Sequence, residues 1–165
     1  MRTLTESEAL EWCASHHVAL VERRTPRPDF ADSQKFRFKI PGDAGRRIAL
    51  LHDLFRCVPT DQEVLLWLTE RGVWSSGERV HMFERFRASY GEHRGLSEAP
   101  AHVLGPADRE ALISSTGFAI LFLWDCHILT SSADTWLFLS HDEYGWICSR
   151  ATNVQFICAE VLHDR

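Results

Sequence analysis

Residues 118–150 read FAILFLWDCHILTSSADTWLFLSHDEYGWICSR. Seven apolar residues open the stretch, Asp125, Cys126 and His127 interrupt it, and two short polar loops follow at Ser131–Asp134 and Asp142–Gly145. Apolar runs separated by short turn-forming loops are the pattern of consecutive antiparallel strands. The expected strands are Phe118–Thr130, an inner strand because its first half is apolar on both faces, then Trp136–Ser140 and Trp146–Ser149. Val154–Leu162 is read as a further strand.

If the first hairpin closes with Thr130 opposite Thr135, then Asp125 faces Ser140, His127 faces Phe138 and Cys126 faces Leu139. If the second places His141 opposite Trp146, Cys148 also faces Leu139. Alternation then puts Cys126, Ile128, Leu137, Leu139 and Cys148 on one face and Asp125, His127, Trp136, Phe138 and Ser140 on the other. A slip of one residue would exchange every assignment.

Upstream of the sheet the period changes. Thr5, Glu6, Ser7 and Glu8 form a capping-box pattern before a helix that ends near Ser15 or His16. Val18–Val21 is read as a short strand, able to pair as a hairpin with Phe36, Phe38 and Ile40, which alternate with Arg37 and Lys39. Pro41-Gly42 stops that strand. Ile48, Leu51, Leu54 and Phe55 recur at helical spacing. Val64, Leu65, Trp67 and Leu68 are read as the next helix, ended by Gly72. Val80, Phe83 and Phe86 mark a third, Gly91–Gly105 a connector, and Pro106 the first turn of a helix through PADREALISS.

The expectation is an α+β fold in one domain over residues 1–165, with helices and a short hairpin in 1–117 and the sheet segment in 118–162. The antiparallel sheet has about four to six strands, and the helices pack on one face.

Composition bounds the function. A chain of 165 residues, 45% hydrophobic and 25% charged, can bury a real core. The net charge of −5 hides an asymmetry: from Glu22 to Arg56 nine basic residues stand against five acids, while the rest of the chain is acidic. That balance disfavours nucleic acid as a partner, which calls for a strong basic excess. The five cysteines are odd in number, widely spaced and without a CxxC pair, as expected of buried reduced thiols in a cytoplasmic protein. No signal peptide opens the sequence, and no apolar run approaches the 20 or so residues needed to cross a bilayer.

Chemistry finds few footholds. Asp125, His127 and Ser140 are the residue types of a hydrolytic triad, but there is no nucleophile elbow. His141 with Asp142 could be an acid–base pair, or Asp142 could simply cap its turn. Cys13, His16 and His17 form one metal-like cluster, where a structural zinc site needs two close pairs. No phosphate-binding loop occurs. No catalytic residue, metal or cofactor is therefore assigned. Trp136, Phe138, Tyr144 and Trp146 gather instead near Asp125, Asp142 and Glu143, and rings bordered by acids suit a protein interface with a basic partner.

The block LFLWDCHILTSSADTWLFLSHDEYGW resembles the sheet segment of small bacterial α+β proteins of the immunity type, encoded beside polymorphic toxins. The likeness rests on the strand ending in Trp124-Asp125, the strand ending in Ser140-His141-Asp142, and Tyr144. It implies a non-enzymatic cytoplasmic protein that binds and blocks a cognate toxin, such as a basic domain, through Asp125, Trp136, Asp142, Glu143 and Tyr144. The alternatives are a small hydrolase or metal-dependent enzyme using the cluster around His141, and a regulatory module with a small ligand between sheet and helices.

Overall fold

A computed structural model of the chain describes residues 1–21, 25–26, 28, 30–31, 34–59, 61–70 and 77–162. Gly72, and Arg23, Arg24 and Arg27 of the basic stretch, lie outside these residues. The fold is α+β, as expected; among the described residues it has five helices and a seven-stranded antiparallel sheet, more strands than the four to six anticipated.

The chain begins with a strand, β1 (Arg2–Leu4), not anticipated from its polar sequence. The capping box then starts α1 (Glu6–Ser15): the Thr5 hydroxyl accepts from the Glu8 N–H, and the Glu8 carboxylate accepts from the Thr5 N–H at 2.7 Å. Leu20–Val21 (β2) pairs with Thr25–Pro26 (β3), not with Phe36–Ile40. The period-two segment is β4 (Lys35–Lys39), and it pairs with the last strand of the sheet. α2 (Ala44–Cys57) follows, its N-terminus capped by Asp43, whose carboxylate accepts from Arg46 N–H at 2.9 Å.

Residues 64–70, expected to be helical, form β5 (Val64–Glu70). Val64 to Leu68 are all buried. A strand covered on both faces shows no alternation, so its apolar run imitates a buried helix. α3 (Gly77–Ala88) matches expectation, but the supposed connector contains β6 (Ala101–Leu104).

A 3-10 turn at Pro106–Asp108 leads into α4 (Arg109–Phe122), which takes the residues read as the start of the inner strand. Leu123 closes α4 in the left-handed conformation (φ 55°), and the Trp124 N–H reaches back to the Ala119 carbonyl at 2.9 Å. The strand proper is β7 (Asp125–Thr130), followed by β8 (Thr135–Leu139) and β9 (Tyr144–Ser149). Residues 152–162 are the helix α5 (Thr152–Leu162), not a strand.

Strand order is β1-β6-β5-β7-β8-β9-β4. One face carries Leu66, Ile128, Leu137 and Ile147, packed beneath α2, α3, α4 and α5 through Leu50, Leu54, Phe83, Ile120 and Val154. The other face is not bare, because α1 covers part of it: Trp12 and Cys13 pack with Leu65, Trp67, Val103 and Leu129. Of the helices among the described residues, α2, α3, α4 and α5 thus share a side, and the rest of the second face carries the candidate site.

Candidate functional site

Residues directly opposite across paired strands share a face. The first hairpin has the expected register, with Cys126 opposite Leu139 and His127 opposite Phe138. The second does not. Trp136 faces Cys148 and Phe138 faces Trp146, a slip of three residues from the expected pairing. Because three is odd, every β9 side chain changes face. Cys148 leaves the helix side, so Cys126 and Cys148 lie on opposite faces, while Tyr144 and Trp146 join Phe138 and Trp136. The slip arises at the loop. His141, Asp142 and Glu143 make the turn, with Glu143 left-handed at φ 61°, and Gly145 is already within β9.

Register therefore sets out parallel rows on the side away from α2–α5. One runs Trp67, His127, Phe138, Trp146 and Arg37. A second, toward the β7–β8 turn, holds Leu65, Leu129, Trp136, Cys148 and Lys35. At the opposite end Asp125, Tyr144 and Lys39 lie beside the 141–143 turn.

The rings in these rows hold one another. The His127 imidazole stacks on Phe138 (centroids 4.6 Å apart, planes 27°), and Tyr144 meets Phe138 edge to face at 6.2 Å. Trp136 Nε1–H donates to His127 Nδ1 at 3.2 Å, which places the imidazole proton on Nε2. His127 is buried, and burial pushes its pKa down to about 3, so it is a neutral ring at ordinary pH. The Arg37 guanidinium stands 4.9 Å from the Tyr144 ring centre and 5.9 Å from that of Trp146. Trp136, Phe138, Tyr144 and Trp146 all remain half-buried.

The acids are differently placed. Asp125 Oδ1 accepts from the His141 backbone N–H at 2.7 Å and lies 2.8 Å from His141 Nδ1. Burial works against the charged imidazole, but the hydrogen bond and charge of Asp125, with Asp142 and Glu70 beyond, outweigh it and raise the His141 pKa. Asp142 is the open acid, its side chain 68% exposed and 3.5 Å from His141 Nε2. Glu143 leans toward the helices, 3.7 Å from an Arg47 guanidinium that also donates to the Pro41 and Leu121 carbonyls.

Of the five residues selected from sequence, Asp125, Asp142 and Tyr144 lie around one end of the ring cluster, Trp136 is two rows away, and Glu143 sits on the far rim. Their acidic frame is only part of the border. Lys35, Arg37 and Lys39 on β4 are exposed along the other margin. Sequence reasoning did not place this cationic row at the site. Its signal was present in the alternation of Lys35, Arg37 and Lys39 with Phe36 and Phe38, but using it required knowing that β4 pairs with β9.

A triad is not assembled. Asp125 bonds to His141, His127 to Trp136, and the Ser140 hydroxyl accepts from the Asp142 N–H at 3.2 Å. The Cys13–His17 cluster is not convergent: Cys13 is buried, and His16 stacks on Trp12 with Nδ1 2.7 Å from the Trp12 carbonyl. Among the described residues no three His, Cys, Asp or Glu side chains are grouped to hold a metal ion, and no helix is long and apolar enough to cross a membrane. All five cysteines are buried free thiols.

Comparison with known proteins identifies no relative: no family model, curated protein or solved structure matches the chain.

Proposed function

We propose that this chain is a non-enzymatic, cytoplasmic binding protein of the toxin-neutralising kind, which blocks a cognate protein with the aromatic side of its sheet. The observation that supports this most is the set of half-buried rings, Trp136, Phe138, Tyr144 and Trp146, held at fixed spacing on paired strands and bordered by charge. Aromatic anchors of low conformational freedom ringed by polar groups are what protein interfaces use. Asp142, open at the turn, is suited to a basic group on the partner.

The test is co-expression with the toxin domain encoded in the adjacent reading frame, followed by titration of the purified pair. Tyr144→Ala with Trp146→Ala should leave the far-ultraviolet circular dichroism unchanged and weaken binding by about 2 kcal/mol or more per anchor. Asp142→Lys should weaken it by roughly 2 kcal/mol. Failure to protect cells, or affinity unmoved by the ring substitutions, would refute the reading.

One observation favours a second reading, a small hydrolase. His141 Nδ1 is held by Asp125, which leaves Nε2 as a base. Against it, Nε2 faces Asp142, and Ser140, the nearest hydroxyl in sequence, accepts a backbone hydrogen bond. Hydrolysis of generic ester or peptide substrates that His141→Ala abolishes would support this reading over the first.

A further inference from the structure

The sheet ends at β4, and among the described residues β4 pairs on one side only, with β9. The direction of its backbone groups follows from one bond: Ile40 N–H donates to the Glu143 carbonyl at 2.8 Å. Alternate residues of an antiparallel strand point their N–H and C=O groups the same way. Phe36 and Phe38 therefore turn toward β9 with Ile40, and the outward row belongs to Lys35, Arg37 and Lys39. These three residues also carry exposed cationic side chains on the aromatic side. On the helix side of the same margin, Phe36 packs against the core but is only half-buried.

We propose that the partner inserts an extended segment alongside β4 as an eighth strand, with acidic and apolar residues alternating. The acids would stand opposite Arg37 and Lys39, and the apolar residues would cover Phe36. This rests on the reading of the aromatic surface as a protein-binding site, and it names the part of the partner that docks. Strand addition takes affinity from main-chain hydrogen bonds and selectivity from alternate side chains. Charge decides which strand is accepted. A second copy of this chain would set cation against cation across the new pair, and like charges directly opposite are destabilising. An edge carrying Lys and Arg thus rejects its own kind. A nucleic-acid strand would meet the cations but leave the outward amides and carbonyls unpaired and Phe36 uncovered.

The experiment follows backbone amide exchange by NMR in the full chain, with a blocked peptide of about seven residues alternating glutamate and valine as the probe. The control peptide carries lysine in place of glutamate. The glutamate peptide should slow exchange at Arg37 and Lys39 roughly tenfold or more, and leave Phe38, already bonded to β9, unchanged. The effect should weaken in about 0.5 M salt. Arg37→Glu with Lys39→Glu should transfer the preference to the lysine peptide. Equal protection by both peptides, protection at neither Arg37 nor Lys39, or stronger perturbation of these amides by a single-stranded oligonucleotide would overturn the proposal. The toxin titration separates the two levels. Full affinity in the charge-reversed variant overturns strand addition alone, whereas full affinity in the Tyr144→Ala, Trp146→Ala variant overturns the binding surface itself.

Discussion

Asp125 is bound twice by one neighbour, through the backbone N–H and the imidazole of His141, and this fixes the 141–143 turn at the end of the ring cluster. Asp125→Ala should cost about 1–2 kcal/mol, read from urea unfolding, because the His141 N–H loses its acceptor. The raised His141 pKa gives a contribution that is full at low pH and disappears as pH rises through it. The buried histidines act the other way. His102 and His127 are held neutral by burial, with pKa values lowered to about 3, while in the unfolded chain each titrates near its ordinary value. Stability they permit above that value is lost as pH falls below it, at about 1.4 kcal/mol per pH unit for each residue. Urea midpoints measured from about pH 7 to about pH 5 should therefore fall steeply, with an upper bound near 4 kcal/mol for the pair. Glu143 tests a different balance. Glycine at its left-handed position relieves about 1 kcal/mol of strain but removes the carboxylate beside Arg47, a buried guanidinium still held by the Pro41 and Leu121 carbonyls. The two effects oppose, and Glu143→Gly should leave thermal stability close to unchanged. At this scale the sequence named acids without showing their partners: that Asp125 is spent on His141 and Glu143 on Arg47 depends on residues 16 and 96 positions away.

Among the elements, those with a complete local signal were legible. The capping box of α1, the helical spacing of α2 and the turn residues between β7 and β8 each carry their own punctuation, and the β7–β8 register followed from them. β5 was not legible, since it lies between β6 and β7 with helices on both sides and its continuous burial erases the period. β9 was misregistered because glycine suggests a turn, whereas Gly145 is there for space. A side chain on it would collide with the Phe38 ring and come within 2.6 Å of the Phe138 carbonyl. Gly145→Ala should accordingly destabilise by about 1–3 kcal/mol through overpacking between β8, β9 and β4, measurable as a lowered thermal midpoint. The same substitution displaces β4, the strand proposed to receive the partner.

For the whole molecule, the α+β class was readable, because it depends on period and composition. The order of strands was not, since pairing between distant segments leaves no local trace. β1 meets β6 (Arg2 opposite Val103), and β4 meets β9 (Arg37 opposite Trp146). Such wiring predicts slow, cooperative folding. A chain stopped at Gly117 should lack a cooperative unfolding transition, because β7, β8 and β9 are missing and β4 has no partner. Of the strands of this sheet, its two margins, β1 and β4, are the first to be synthesised. At about 5–20 residues per second, β4 waits several seconds for β9 to be synthesised, its backbone exposed to any passing strand. The alternating cations along it are then a safeguard for the nascent chain, discouraging aggregation between neighbouring copies on one polysome until translation passes Ser149.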